Sequence, residues 1–99
     1  MKNIVLLCSA GMSTSMMVEK MKEAANEKNY EANINAYSLA EASEVVKDAD
    51  IILLGPQVRF QQNQVKEMAT CPVEVIDMMD YGMMNGKKVF EHVISVIGE

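Results

Sequence analysis

Two short segments of the chain are continuously apolar and lack the alternation expected of a strand with one solvent-facing side. They are Ile4-Val5-Leu6-Leu7 and Ile51-Ile52-Leu53-Leu54, and Gly55-Pro56 closes the second. An unbroken apolar run of this length is typical of a strand buried on both faces of a parallel sheet. We therefore predict one strand over residues 2–7 and another over residues 51–54, both in the middle of the sheet.

Helical periodicity follows each of these strands and recurs at the end of the chain. Apolar residues repeat at three- and four-residue intervals over residues 14–28, from about Val58 to Ala69, and from about Gly86 onward. This spacing places them on one helix face, which packs against a sheet. Pro72 ends the second of these helices, and Asn85 has a side chain suited to cap the third. The residues predicted to face inward in the last two helices are Val58, Val65, Met68, Ala69, Val89, Phe90, Val93, Ile94 and Ile97.

The segments between these elements have weaker hydrophobic patterns. Ala32, Ile34 and Ala36 alternate with polar residues, which predicts a strand at an edge of the sheet. Ser38-Leu39-Ala40-Glu41 has the sequence of a capping box and predicts a helix to about Lys47. A fourth short strand is predicted over residues 73–76, and the stretch between it and Gly86 is predicted to be irregular.

The alternation of strand and helix predicts an α/β fold. We expect a three-layer sandwich in which helices cover both faces of a four-stranded parallel sheet in the order 2-1-3-4. Ligands of such sheets bind outside the carboxyl ends of the strands, where the strand order reverses. The loops after Leu7 and Leu54 should therefore share a site.

Composition narrows the function classes. The 99 residues are 49% hydrophobic and 23% charged, the balance of a single domain whose core needs no disulfide or structural metal. A formal charge of −5 disfavours nucleic acid and anionic membranes as partners. Cys8 and Cys71 are too few for a disulfide scaffold and lack the spacing of a metal site, so we expect two cytosolic thiols. The longest uncharged stretch, Asn3 to Val18, is too short and too polar to cross a bilayer.

The loop after the first strand has the composition of a phosphate-binding cradle. It begins with Cys8 and continues into the first helix through Ser9, Ala10, Gly11, Met12, Ser13, Thr14 and Ser15. Small residues let backbone N–H groups converge on an anion, and the helix N-terminus adds positive potential. The same dipoles favour a cysteine thiolate. The pattern therefore indicates covalent phosphoryl transfer through Cys8.

Several alternatives remain at this point. Cys8 could be a small buried side chain beside serines that only cap a helix. A cysteine-dependent phosphatase would carry Cys-x5-Arg, but Thr14 occupies the arginine position, which favours a held phosphoryl group over rapid hydrolysis. A thiol reductase would need a resolving cysteine, and Cys71 is predicted to lie far away. A receiver domain or a flavin binder fits less well, since the chain lacks the acidic residues of the first and the aromatic walls of the second.

In these residues, the chain resembles the enzyme IIB components of the bacterial phosphoenolpyruvate:sugar phosphotransferase system, of the lactose/cellobiose/chitobiose type. The resemblance covers essentially the whole chain, as a single IIB domain over residues 1–99. Its motifs are Cys-Ser-Ala-Gly-Met-Ser-Thr-Ser at 8–15, Leu-Leu-Gly-Pro-Gln at 53–57, Pro-Val-Glu-Val-Ile-Asp at 72–77 and Tyr-Gly at 81–82. It implies a fold similar to that of low-molecular-weight tyrosine phosphatases.

The resemblance also implies a mechanism and partners. Cys8 would receive a phosphoryl group from a phosphohistidine of enzyme IIA and pass it to a sugar held by the membrane-embedded enzyme IIC. The loop from Ser9 to Ser15 would bind the phosphoryl oxygens, and neither a cofactor nor a metal is implied. The protein would work in the cytoplasm, associated peripherally with the transporter. The sequence does not identify the sugar.

Further residues have open or structural roles. Gly55, Pro56 and Gln57 match the second motif, and either shape the site or form an ordinary turn. Arg59, the only arginine, either meets a phosphoryl group or partner or lies on a solvated helix face, and the role of Tyr81 is undecided. We expect Cys71 to be an inert buried thiol, His92 to be solvated, and Asp77 and Asp80 to serve in caps or turns. Four apolar loop residues are predicted to form a docking surface for partner proteins, namely Met12, Met78, Met79 and Met83.

Overall fold

The computed structural model describes residues 2–9 and 12–97, and it contains four parallel strands. These are β1 (Lys2–Cys8), β2 (Ala32–Ser38), β3 (Ile51–Leu54) and β4 (Val73–Val75). Their order is β2-β1-β3-β4, as predicted, so the two continuously apolar strands occupy the middle and the alternating strand lies at an edge. β1 extends one residue further than predicted, because Cys8 still pairs with Ser38 of β2.

Five α-helices flank the sheet within the described residues. They are α1 (Met12–Glu27), α2 (Ala42–Val45), α3 (Gln62–Met68), α4 (Met78–Gly82) and α5 (Gly86–Ile97). Ile4, Leu6 and Leu53 face the layer formed by α1 and α5. Their neighbours Val5 and Leu7 face the layer that contains α2 and α3. Successive residues of each central strand thus enter opposite cores, which explains why the strands are apolar throughout.

The segment after β2 is less regular than predicted. Leu39–Glu41 and Val46–Asp48 are 3-10 turns on either side of the four-residue α2, in place of one helix to Lys47. The Glu41 carboxylate accepts hydrogen bonds from the Ser38 backbone N–H at 3.1 Å and from the Ser38 hydroxyl at 3.2 Å, so the predicted capping residues do interact. Only Ala42 and Val46 are buried in this segment. Because short helices depend on packing against the core, two buried side chains give little support to a longer helix.

The helix predicted over residues 58–69 is divided. A 3-10 segment covers Pro56–Gln61, and Val58 has non-helical dihedral angles, so the α-helix itself begins at Gln62. Val58 and Val65 are buried as predicted, but Met68 is 40% exposed. The prediction for Met68 was wrong because the helix ends at this residue and the chain turns to an extended conformation at Ala69.

The segment predicted to be irregular forms the short helix α4. The Asp77 carboxylate caps it by accepting the Met79 and Asp80 backbone N–H groups at 3.1 and 3.2 Å, which confirms the capping role of Asp77. Asn85 caps α5 as predicted, with its side-chain oxygen accepting the Lys88 N–H at 3.2 Å. Both caps fix the path of the chain from the carboxyl end of β4 back across the sheet.

Candidate functional site

Cys8 is the last residue of β1, at the carboxyl edge of the sheet and beside the point where the strand order reverses. Its side chain is 4% exposed. The helix α1 begins at Met12, so only three residues separate the cysteine from a helix N-terminus. No acidic residue lies in the first turn of α1 to compete with an anion for its N–H groups. The local geometry is therefore suited to a nucleophilic thiol beside an anion-binding helix end.

The predicted cradle is placed only in part by the structure. Ser9 follows Cys8 and is exposed, whereas Ala10 and Gly11 lie outside the described residues. Met12, Ser13, Thr14 and Ser15 form the first turn of α1, where backbone N–H groups have no acceptor within the helix. The roles of Ser9 to Ser15 as phosphoryl ligands stay a prediction.

The loop after β3 packs directly against Cys8. The Gly55 N–H donates to the Leu7 carbonyl oxygen at 2.9 Å, which extends the pairing of the two central strands by one residue. A Cβ atom added to Gly55 would lie 3.4 Å from the Cys8 Cβ, in van der Waals contact. This confirms the prediction that the loops after Leu7 and Leu54 lie next to each other, and Gly55 forms one side of the candidate site.

The residues after Gly55 form a tight, internally bonded turn. Pro56 and Val58 are buried, and Gln57 and Arg59 between and beyond them are exposed. One guanidinium nitrogen of Arg59, Nη1, donates to the Pro56 carbonyl oxygen at 3.0 Å. The Arg59 side chain is therefore exposed, and it is hydrogen-bonded to the backbone of its own loop.

The third segment at this edge is the one that follows β4. Ile76 extends the pairing of β3 and β4 by one residue, since its N–H donates to the Leu54 carbonyl oxygen at 2.9 Å. Tyr81 of α4, whose role the sequence leaves undecided, is buried in the core between the sheet and the α1–α5 layer. Asp80 is half-buried, and its carbonyl oxygen accepts the Asn85 N–H at 2.9 Å, so this residue takes part in the turn before α5.

Large apolar side chains are exposed in the segments that follow β1, β3 and β4. We call this set the apolar rim; its members, with their exposed fractions, are Met16 (58%), Phe60 (75%), Met78 (62%), Met79 (71%) and Met83 (72%). Met78, Met79 and Met83 were among the predicted docking residues, whereas Met16 and Phe60 were not. Phe60 could have been noticed as an aromatic residue in the turn after a central strand. The fourth predicted docking residue, Met12, lies at the start of α1.

The second cysteine lies at the opposite edge of the sheet. Cys71 precedes the start of β4, near Asp50, which precedes β3. Partial burial and the negative charge of Asp50 raise the pKa of the Cys71 thiol, against a smaller lowering by a backbone hydrogen bond. The location agrees with the prediction, although the side chain is half-buried and not fully buried. A disulfide bond between Cys8 and Cys71 is incompatible with their positions at opposite edges of the sheet, which argues against a thiol reductase.

Other chemistry is limited in the part of the chain that the structure describes. His92 is exposed as predicted, and its Nε2 lies 3.2 Å from Glu74 Oε1. Residues 2–9 and 12–97 contain no cluster of three or more histidine, cysteine or acidic side chains that could hold a metal ion. None of the helices in these ranges is long and apolar enough to cross a membrane.

Comparison with known proteins gives a consistent family match. Residues 3–92 match the family described as the lactose/cellobiose-specific IIB subunit of the phosphotransferase system, or PTS. The oligo-β-mannoside-specific EIIB component of Bacillus subtilis is 46% identical over 98% of this chain and 97% of its own length. A galactose-specific and a cellobiose-specific EIIB component of Lactococcus lactis are 45% and 44% identical, each match covering 89% of both chains.

Two solved structures have the same fold. A cellobiose-specific IIB component from Borrelia burgdorferi superposes with a TM-score of 0.79 at 42% identity, covering 97% of this chain and 91% of that one. A lactose-specific IIB domain from Streptococcus pneumoniae gives a TM-score of 0.85 at 19% identity, covering 96% of both chains. The four-stranded parallel sheet is therefore common to this chain and to both of these proteins.

Proposed function

Because the chain belongs to the lactose/cellobiose-specific IIB subunits of the sugar phosphotransferase system, we propose that Cys8 is the residue that carries the phosphoryl group. The observation that supports this assignment most is the position of Cys8. It ends a central strand, precedes the N-terminus of α1 and packs against Gly55 of the neighbouring loop. Cys71, the other cysteine, lies at the opposite edge of the sheet with its pKa raised.

The proposed reaction has two in-line displacements. In the first, the Cys8 thiolate attacks the phosphorus of a phosphohistidine on enzyme IIA; the S–P bond forms, and the P–N bond breaks with its electron pair left on the imidazole. In the second, a sugar hydroxyl at enzyme IIC attacks the same phosphorus and gives its proton to a base or to water, while the S–P bond breaks and its electron pair returns to sulfur as the thiolate. Backbone N–H groups of the Ser9 to Ser15 loop hold the equatorial oxygens in both steps.

One feature of the sequence favours transfer over hydrolysis. Thr14 occupies the position at which a cysteine-dependent phosphatase would carry an arginine, so the charge that drives hydrolytic turnover is missing from that position. The phosphocysteine is therefore expected to persist until an acceptor hydroxyl is presented.

The apolar rim is the proposed docking surface for both partner enzymes. Its side chains follow the same strand ends that surround Cys8, so a protein covering the rim places its own reactive group near the thiol. Exposed methionine and phenylalanine side chains suit an interface that must accept two partners in turn, because methionine adapts its shape readily. In this proposal the protein acts in the cytoplasm at the membrane transporter.

Intact-mass spectrometry tests the proposal. The protein is incubated with phosphoenolpyruvate, enzyme I, the histidine phosphocarrier and candidate IIA proteins, as wild type, Cys8→Ser and the matched control Cys71→Ser. We expect one phosphoryl adduct on the wild type and on Cys71→Ser, dependent on IIA, and none on Cys8→Ser. Hydrolysis of an aryl phosphate through Cys8, without charging by any IIA protein, would support a phosphatase instead.

The acceptor is proposed to be a sugar of the cellobiose, lactose or chitobiose class. The relatives compared above are named for oligo-β-mannoside, galactose and cellobiose, so the family as a whole serves several sugars. Membrane vesicles that contain individual IIC proteins, supplied with the charged protein and a panel of these sugars, would identify the pair that discharges Cys8.

A further inference from the structure

The turn after β3 holds one exposed polar side chain, that of Gln57, between two buried anchors. Pro56 and Val58 are both buried, and Val58 lies in the core on the α2–α3 side. The Val58 N–H donates to the Gly55 carbonyl oxygen at 3.0 Å, which closes the turn around Gln57. The backbone of Gln57 is therefore held in place, and its side chain is presented at a defined position.

The Gln57 amide folds back over Gly55 toward Cys8. A Cβ atom added to Gly55 would lie 3.1 Å from Gln57 Oε1 and 3.4 Å from the Cys8 Cβ. Both side chains thus border the same point beside Gly55, where an added Cβ atom would touch each of them. A contact between the amide and a group on the Cys8 sulfur requires that this group extend toward the same point.

Arg59 fixes the start of the same turn. Its Nη1 donates to the Pro56 carbonyl oxygen at 3.0 Å, so part of the guanidinium group is committed to the loop backbone. This bond restrains Pro56 and Arg59 on either side of Gln57. The uncharged amide of Gln57 is thus the polar group with which this loop borders Cys8, and the residues on both sides of it are restrained.

We propose that the Gln57 amide donates a hydrogen bond to an oxygen of the phosphoryl group on Cys8, an inference that rests on the proposed role of Cys8. Rotation about the terminal bond exchanges the amide oxygen and NH2, so the side chain can present its donors to an anion. The bond would form as charge spreads over the equatorial oxygens during transfer. A neutral donor binds the dianion without the full charge of an arginine, so the group stays transferable.

The test compares Gln57→Ala and Gln57→Glu with the matched control Gln64→Glu, an exposed glutamine of α3 that adds the same charge away from the site. Two quantities are measured by intact mass, the rate of charging from phospho-IIA and the hydrolysis half-life of the isolated charged protein. We expect Gln57→Ala to charge about tenfold more slowly, the scale of one hydrogen bond to a charged group. Gln57→Glu should lose more, because a carboxylate repels the phosphoryl oxygens.

The pH dependence separates direct contact from loop packing. For Gln57→Glu, the deficit should shrink as the pH falls from about 8 toward 5, because the neighbouring phosphoryl charge raises the pKa of the introduced carboxyl above its ordinary value of ~4.3; Gln57→Ala should show no such recovery. Charging of both variants at the wild-type rate would overturn the inference. Equal, pH-independent losses would also overturn it and would indicate a packing role. Failure of the wild type to accept any phosphoryl group would instead remove the proposed function, and this inference with it.

Discussion

At the scale of single residues, the two cysteines show how position in a sheet decides chemistry. Cys8 ends β1 and precedes a helix N-terminus, whereas Cys71 precedes β4 at the amino edge. Burial and the charge of Asp50 raise the pKa of Cys71, so its thiol stays protonated and poorly nucleophilic near neutral pH. The proposed function thus uses the cysteine at the carboxyl end of the sheet, while the surroundings of the cysteine at the amino end disfavour its thiolate.

The influence of Asp50 on Cys71 can be measured by alkylation in a Cys8→Ser background. Since the negative charge raises the thiol pKa, Asp50→Asn should lower it and increase the thiolate fraction at a given pH. We expect iodoacetamide to alkylate Cys71 several-fold faster at pH 8 in this variant. The control is Asp48→Asn, an exposed neighbour for which no such effect is expected. Equal alkylation rates for Asp50→Asn and its parent would contradict the assignment.

At the scale of elements, the close crossing of α1 and α5 depends on Gly86. A Cβ atom added there would lie 2.5 Å from the Lys20 carbonyl carbon and 2.7 Å from the Met21 nitrogen. Both are backbone atoms of α1, so the contact cannot be relieved by a rotamer change. Gly86 therefore sets the distance at which α5 packs Val89, Phe90 and Val93 into the core.

Substitution at the two helical glycines should have different effects on stability. We expect Gly86→Ala to lower the free energy of unfolding by about 1–3 kcal/mol, the usual cost of overpacking. Gly82→Ala in α4 has no atom within 4 Å of the added Cβ and should leave stability unchanged or slightly higher. Urea unfolding followed by circular dichroism measures both. An unchanged midpoint for Gly86→Ala would show that the helices do not approach this closely.

At the scale of the whole molecule, the three segments that follow β1, β3 and β4 contain the proposed docking residues, and β1 ends at the proposed nucleophile. The apolar rim belongs to these segments, whereas Met68 is exposed at the end of α3, near the amino end of β4. With 14 acidic residues against nine lysines and arginines, the chain has a net charge of −5, which disfavours docking through a strongly basic surface. In the proposed function, the partner enzymes are recognised through apolar contact.

Docking through the rim predicts a selective effect on partner affinity. Met79→Asp should raise the KM for phospho-IIA by about tenfold, because a charge would be desolvated in the interface, and should leave kcat nearly unchanged. Met68→Asp places the same charge on another exposed methionine and should leave both constants unchanged. Steady-state charging over a range of phospho-IIA concentrations distinguishes them. Similar KM values for the two variants would exclude Met79 from the docking surface.

The strand order and the shared position of two loops could be predicted because they follow from strong local patterns. The apolar runs that include Leu7 and Leu54 fixed the central strands, and parallel connection then placed their loops together. The helix α4 was missed because five residues are too few to show helical periodicity, and only the Asp77 cap signals it. The proximity of Gln57 to Cys8 depends on how the turn after Gly55 folds back, which no spacing in the sequence encodes.

Peptide mapping of the charged protein tests most directly whether the phosphoryl group resides on the Cys8 sulfur. Trypsin cleavage after Lys2 and Lys20 yields a peptide that contains Cys8, and cleavage after Lys66 and Lys87 yields one that contains Cys71. We predict that the added phosphoryl mass appears only in the first peptide, with fragment ions that place it on Cys8. Its location on a serine or threonine of the same peptide, or on any other peptide, would contradict the account.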